Sequence, residues 1–223
     1  MLQLYIGNKN YSSWSMRAGV LLAQARIPFE EHLVRFDSSR DADSAFKRAV
    51  LKVSPAGRVP VLVDDGFVVW DSLAIAEYVA EKFPDKQLWP QDAKARARAR
   101  SVCAEMHSGF TELRTHCGMN IEACLPEVGQ ILWRDRPGVR AEVQRVVQMW
   151  TELLDQSKGP LLFGEFTVAD AFYAPVVSRF RTYSIPLPAV ATSYCNTIWD
   201  WPPLKAWVAD AQNETLRAKN HED

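Results

Sequence analysis

The chain has 223 residues, 48% of them hydrophobic and 24% charged, with a formal net charge of −1. That is enough apolar material for one large or two modest domains, and the near-neutral balance gives no reason to expect nucleic acid or an anionic membrane as a partner. No apolar run approaches the roughly 18 residues of a membrane span. Met1-Leu2-Gln3-Leu4-Tyr5-Ile6 lacks the basic region and long apolar stretch of a signal peptide, so a cytoplasmic protein is expected.

In chain order, residues 2–6 read as a short strand bounded by Gly7-Asn8, followed by a polar loop over 9–13. Met16, Val20, Leu21 and Ala25 recur at helical spacing, which predicts an amphipathic helix over 14–26. Residues 29–34 alternate like a half-buried strand. Residues 41–52 predict a second helix, capped by Asp41 or Asp43. Strands over 60–63 and 67–70 flank Asp64-Asp65-Gly66, and Asp-Gly between apolar runs is a strong hairpin signal. A helix over 72–83 closes the series. The order β-α-β-α-β-β-α predicts an α/β domain, residues 1–83, with a mixed sheet and helices on its faces.

Pro84-Asp85-Lys86-Gln87-Leu88-Trp89-Pro90-Gln91-Asp92 reads as a linker, residues 84–92. Strand signals then almost vanish, and residues 93–223 predict an all-α domain. Residues 93–117 form one long helical pattern and 138–156 another, striped by Val139, Val143, Val146, Val147 and Trp150. Thr167-Val168-Ala169-Asp170 has the form of a capping box and launches a buried helix over 168–180. Pro202-Pro203 starts a final helix reaching about residue 219.

The most informative stretch is Ser54-Pro55-Ala56-Gly57-Arg58-Val59-Pro60-Val61-Leu62, with Asp71-Ser72-Leu73-Ala74-Ile75 beyond it. Proline cannot donate to a ladder, but it is tolerated at the first residue of a strand. A cis Val59-Pro60 bond there costs only about 0.5–1 kcal/mol. It would turn the Val59 N–H and C=O outward to pair with a bound peptide backbone. Asp71-Ser72 adds helix-opening donors and a carboxylate near the same spot. Together these features point to a receptor for a small peptide with charged ends.

Cys103, Cys117, Cys124 and Cys195 form no C-x-x-C pair, and His107 and His116 stand at no metal-ligand spacing from them. Ordinary reduced cysteines and no metal are expected. The run Lys94-Ala95-Arg96-Ala97-Arg98-Ala99-Arg100 spreads its charge around a helix and reads as a solvated or dimer-rim surface.

Val59-Pro60, Asp71-Ser72-Leu73-Ala74-Ile75-Ala76-Glu77-Tyr78 and Thr167-Val168-Ala169-Asp170, in this order, resemble the cytosolic glutathione transferases over nearly the whole chain. The resemblance implies a thioredoxin-like first domain that binds glutathione, a helical second domain that supplies most of the electrophile pocket, and a homodimer. Tyr11-Ser12-Ser13-Trp14-Ser15-Met16-Arg17 is similar to the Ser-Ser-Cys-Ser-x-Arg motif of the zeta class, with Trp14 in place of the cysteine. It implies a catalytic hydroxyl at Ser12, or at Ser13 if the loop is shifted by one residue. Tyr11 is an alternative activator, whereas Tyr5 reads as too buried to serve.

Only the thiolate of glutathione attacks efficiently, and a free thiol has pKa about 8.5. A hydroxyl hydrogen bond to a charged group supplies about 1.5–3 kcal/mol, and the helix N-terminus adds about 0.3–2 kcal/mol. The plainer account of both serines is helix N-capping. The resemblance further implies that Val59 and Pro60 hold the cysteinyl backbone and that Asp71 and Ser72 hold the γ-glutamyl end. Lys47, Arg48 and Arg58 are candidates for the glycyl carboxylate. His107, Thr111 and Arg114 stand at i, i+4, i+7 and would line one helix face with Trp14 nearby. Thr115 falls at another position that contacts ligand in that class, and Cys117 is a candidate reactive thiol.

The implied function is transfer of glutathione to a small electrophile. The alternatives are a glutathione-dependent cis–trans isomerase similar to maleylacetoacetate isomerase, in which Arg17 and Arg114 could face a dicarboxylate, and a non-catalytic binding protein on the same fold. A peroxidase or disulfide reductase would need redox behaviour that serine does not supply.

Overall fold

A computed structural model describes residues 1–37 and 44–214. The first domain runs β1 (Leu2–Ile6), α1 (Ser13–Gln24), β2 (Phe29–Leu33), α2 (Ala45–Leu51), β3 (Val61–Asp64), β4 (Phe67–Trp70) and α3 (Ser72–Lys82). The four strands lie in the order β2-β1-β3-β4. β1 pairs parallel with β2 and antiparallel with β3, and β3 pairs antiparallel with β4. The parallel pair needs a crossover, which α1 provides. Asp65 and Gly66 both take positive φ, 47° and 90°, the conformation a two-residue hairpin favours. This is the mixed sheet the element order predicts and the thioredoxin-like domain the family resemblance implies.

The helical domain follows a short 3-10 turn at Pro84–Lys86 and comprises α4 (Ala93–Ser108), α5 (Thr111–His116), α6 (Pro126–Asp135), α7 (Pro137–Ser157), α8 (Val168–Thr182), α9 (Ala189–Trp199) and α10 (Pro202–Gln212). α8 is its axis, with only Arg181 outside the buried set. The capping box forms: Thr167 N–H donates to Asp170 at 2.9 Å, and Asp170 also accepts from Leu162 N–H at 3.3 Å and Tyr194 O–H at 3.0 Å. Complete burial pushes the Asp170 carboxyl up to about 6.

α1 joins the two domains. It packs on α3 within its own domain and on α8 and α10 of the other, which buries Ser13 and every residue from Ser15 to Leu22. The α10 contact is close enough that a Cβ at Gly19 would overlap the Trp207 ring.

Several boundaries differ from the sequence reading. The long helix expected over 93–117 breaks after Ser108, because Phe110 takes a left-handed φ of 55° before α5 begins. Arg114 donates to the carbonyls of His107 and Gly109, both at 3.3 Å, so the break leaves these acceptors satisfied. α2 is capped by Ser44, whose hydroxyl accepts from Lys47 N–H at 3.1 Å. The expected caps Asp41 and Asp43 lie outside the described residues, as does the expected helix end near residue 219. α6 and α9 have no counterpart in the sequence reading.

Candidate functional site

A cleft of about 740 Å³ lies between the domains, lined by Trp14, Lys47, Ala56, Arg58, Val59, Pro60, Trp70, Asp71 and Ser72 on one side and by His107 and Arg114 on the other. The Val59–Pro60 peptide is cis. Pairing of β3 with its neighbours starts at Val61, so Val59 stands outside the ladder at the cleft wall. Arg58 is exposed at the rim. Lys47 donates to the carbonyl of Gly57 at 3.1 Å, which fixes the turn at Gly57, where φ is 56°. Arg48 is exposed and is not part of the lining.

Asp71 caps α3 from a φ of 79°, an uncommon conformation for a residue with a side chain. Its Oδ1 accepts from Leu73 N–H at 2.9 Å, and its Oδ2 lies 3.1 Å from Nε2 of His107. One carboxylate thus spans the domain boundary. Ser72, the first residue of α3, has a buried hydroxyl with no hydrogen-bond partner among the described residues. A buried unsatisfied hydroxyl costs roughly 1–3 kcal/mol, and a cleft ligand would relieve it.

A second hollow of about 330 Å³ adjoins the cleft, lined by Ser13, Trp14, Thr111, Arg114, Thr115 and Arg179. Trp14 and Arg114 face both spaces. The serines therefore separate in role. Ser12 is the N-cap: its oxygen accepts from Ser15 N–H at 3.4 Å and its hydroxyl donates to Ser15 Oγ at 2.7 Å. Ser13 begins α1, borders the second hollow, and its hydroxyl makes no hydrogen bond among the described residues. Tyr11 is buried, and Tyr5 stacks on His32 with centroids 4.6 Å apart; neither lines these spaces.

Because the helix breaks at Gly109-Phe110, His107, Thr111 and Arg114 do not share one helix face. His107 ends up in the cleft, edge-on to Trp14 at 5.0 Å, while Thr111 is exposed beside the second hollow. Arg114 bridges the two spaces because it turns back over the break.

The electrostatics are one-sided. Arg17 and Arg114 both pack against the Trp14 ring, with guanidinium carbons 4.2 and 4.7 Å from its centroid. Arg17 is 2% exposed, and neither its Nε nor its Nη1 has a partner among the described residues. Burial, then repulsion from Arg114 and Arg179, lowers its guanidinium to about 9. Burial and Arg114 lower Arg179 to about 10; its guanidinium donates to carbonyls, that of Cys117 among them. All three remain charged at neutral pH, and no carboxylate among the described residues forms an ion pair with any of them. Arg179 escaped the sequence reading, although a cation on a largely apolar helix launched by a capping box was the signal for it.

Cys117, the candidate reactive thiol, lines neither space. It is buried, and that burial pushes its thiol up to about 11. Among the described residues, no group of His, Cys, Asp and Glu could hold a metal ion. No helix there is long and apolar enough to cross a membrane.

Family models for the glutathione S-transferase N-terminal domain and C-terminal domain match residues 11–82 and 93–210. A probable maleylacetoacetate isomerase of Caenorhabditis elegans is 32% identical over 213 residues, covering 92% of each chain. Maleylacetoacetate isomerase of Rattus norvegicus is 29% identical over 184 residues, covering 81% of each. Among solved structures, a Burkholderia glutathione transferase homologue with bound glutathione has a TM-score of 0.72 at 24% identity, covering 96% of this chain and 99% of that one. A diazinon-metabolizing glutathione S-transferase of Bombyx mori has a TM-score of 0.72 at 20% identity, covering 96% and 98%. With both of its domains matched and the fold in agreement, the chain belongs to the glutathione S-transferase family of enzymes.

Proposed function

We propose that this protein binds glutathione in the larger cleft and adds its thiolate to a small, negatively charged electrophile seated in the adjoining hollow. The observation that carries this reading is the pair Arg17 and Arg114 packed on Trp14, with Arg179 beside them in the hollow's lining and no ion pair to a carboxylate among the described residues. An apolar electrophile has no use for such a field, whereas a carboxylate gains charge-assisted hydrogen bonds from it.

The first domain, residues 1–83, holds the tripeptide. Val59, ahead of cis-Pro60, pairs with the cysteinyl backbone, and Ser72 receives the γ-glutamyl carboxylate through its N–H and its unpartnered hydroxyl. Asp71 takes the γ-glutamyl ammonium, and Arg58 meets the glycyl carboxylate at the rim; Lys47, engaged with Gly57, supports that turn. Ser13 donates its hydroxyl to the thiolate, aided by the N-terminus of α1, and Ser12 holds the loop as cap. The second domain, residues 93–223, contributes His107, Thr111, Arg114 and Arg179. No general base is required, because lowering the thiol pKa by about two units needs only about 2.7 kcal/mol of preferential thiolate stabilisation. Exposed Phe67 and Trp70 on β4 offer a face for a second copy, giving the homodimer usual in the family; light scattering on the purified protein reads the mass directly.

The same cluster also favours a second reading, supported by the two isomerase relatives: the thiolate adds to a cis-enedioate, the single bond rotates, and the thiolate leaves. The test compares a cis-enedioate with its neutral dimethyl ester as acceptors, following glutathione and alkene geometry together. Stoichiometric loss of glutathione identifies the transferase. Appearance of the trans alkene at constant glutathione identifies the isomerase. A preference for the ester that survives Arg114→Met would refute the anionic-substrate reading.

A further inference from the structure

The loop that delivers Ser12 and Ser13 is anchored from the far end of the chain. Asn8 C=O accepts from the N–H groups of Tyr11 and Ser12, at 3.1 and 2.8 Å, and so shapes the turn into α1. The outer side of that turn is then taken up by the C-terminal segment. Glu214 receives both Lys9 N–H and, at 3.1 Å, the side-chain amide of Asn8. Trp207 Nε1 donates to Lys9 C=O at 3.1 Å, and the same indole packs against Gly19 of α1. The Lys9 ammonium lies 2.6 Å from Asp210 and 2.9 Å from Glu31, and 5.0 Å from the Trp207 centroid.

These contacts have no local reason to exist. Asn8 and Glu214 are 206 positions apart, and α10 contributes no residue to the lining of the cleft or the second hollow. Trp207 and Asp210 are one turn apart on α10, and Glu214 lies just past its C-cap, so one helix end presents all three groups to a single loop. A carboxylate that accepts a backbone N–H and a neighbouring amide fixes a loop's orientation, and a misplacement of about 1 Å at a catalytic group has large consequences.

We propose that Trp207, Asp210 and Glu214 form a positioning clamp that sets the Ser13 hydroxyl against the glutathione sulfur. The proposal rests on Ser13 as the thiolate donor, and the test separates the two ideas. In the full-length protein saturated with glutathione, the thiol pKa is read from thiolate absorbance against pH. Glutathione affinity is read by calorimetry and thermal stability by unfolding.

Glu214→Ala is expected to raise the thiol pKa by about one unit, the loss of part of a charge-assisted hydrogen bond. Glutathione affinity should stay within about twofold, because the tripeptide's other anchors sit on other loops. Glu214→Gln keeps one acceptor oxygen and should give a smaller shift. Adding Ser13→Ala to Glu214→Ala should raise the pKa no further than Ser13→Ala alone. An unshifted thiol pKa in Glu214→Ala, or shifts that simply add in the double variant, overturns the clamp. If Ser13→Ala alone leaves the pKa in place while Glu214→Ala raises it, the clamp stands and the donor assignment falls. Should Glu214→Ala fail to fold, Trp207→Phe gives the same readout: it keeps an aromatic ring on α10 facing α1, removes the bond to Lys9 C=O and weakens the contact with the Lys9 ammonium.

Discussion

Replacing Arg17 by methionine should stabilise the protein and impair its use of a charged substrate. The guanidinium is 2% exposed, lacks partners for Nε and Nη1 among the described residues, and is lowered from 12.5 to about 9 mainly by burial. Taken at about 1.36 kcal/mol per unit, that depression sets an upper bound of about 5 kcal/mol on the cost of keeping the charge where it is. Its contacts with Trp14 and Phe172, at 4.2 and 4.8 Å, return about 0.5–2 kcal/mol each, and methionine recovers part of that as packing. The net expectation is a gain of about 1–3 kcal/mol, within the range found when buried ionic groups give way to apolar ones. For a chain of this length it would raise Tm by roughly 2–4 °C per kcal/mol. Arg17 lines neither space and acts from behind Trp14; at an assumed separation of about 7 Å and an effective dielectric of about 20 its charge contributes about 2 kcal/mol, so kcat/KM for an anionic acceptor should fall about 10- to 30-fold. A neutral acceptor should be nearly unaffected. The assay is urea unfolding paired with steady-state kinetics on a charged electrophile and its neutral ester. A variant that is less stable than the parent by more than about 1 kcal/mol, or that loses both substrates equally, would show that Arg17 is a structural group with satisfied surroundings.

Other expectations follow from the same geometry. Ser12→Ala removes an N-cap and should cost about 0.5–2 kcal/mol in chemical denaturation while leaving the bound thiol pKa in place; a raised thiol pKa would transfer the donor role from Ser13 to Ser12. Asp170 binds its proton more tightly folded, at about 6, than unfolded, near 3.9, so its contribution to stability declines as pH rises between those values. The stability difference between the parent and Asp170→Asn should therefore shift by about 2–3 kcal/mol against the parent from pH 4 to pH 6.5; a difference independent of pH would refute the assignment. A thiol reagent at pH 7.5 should label exposed Cys124 rapidly and leave Cys117 unmodified in the native protein, as mass mapping of the labelled peptides would reveal.

The sequence carried the first domain well because its signals are local. Proline at the head of β3, Asp-Gly in the hairpin and the Asp71 cap of α3 each act within a few residues of the feature they specify. The break at Gly109-Phe110 was hidden for the opposite reason. Apolar periodicity continues through it, and the Arg114 side chain that tolerates it also satisfies the open carbonyls. The choice between Ser12 and Ser13 depends on a hydroxyl rotor and on Ser15, which motif spacing does not encode. Lys47 reads as a cation free to meet a carboxylate, and its added bond to Gly57 C=O depends on a turn that spacing does not show. Arg179 and Glu214 reach their partners only through the packing of helices far apart in sequence.

Trp14 and Arg114 form a party wall, a single partition between two spaces that the proposed function fills with two ligands. An electrophile bulky enough to push the indole aside would enlarge its own compartment only by encroaching on the tripeptide's. Thermodynamic reciprocity then requires each ligand to change the other's affinity by the same factor. Under that proposal, substrate range and glutathione retention become one property, tuned together by whatever residue occupies position 14.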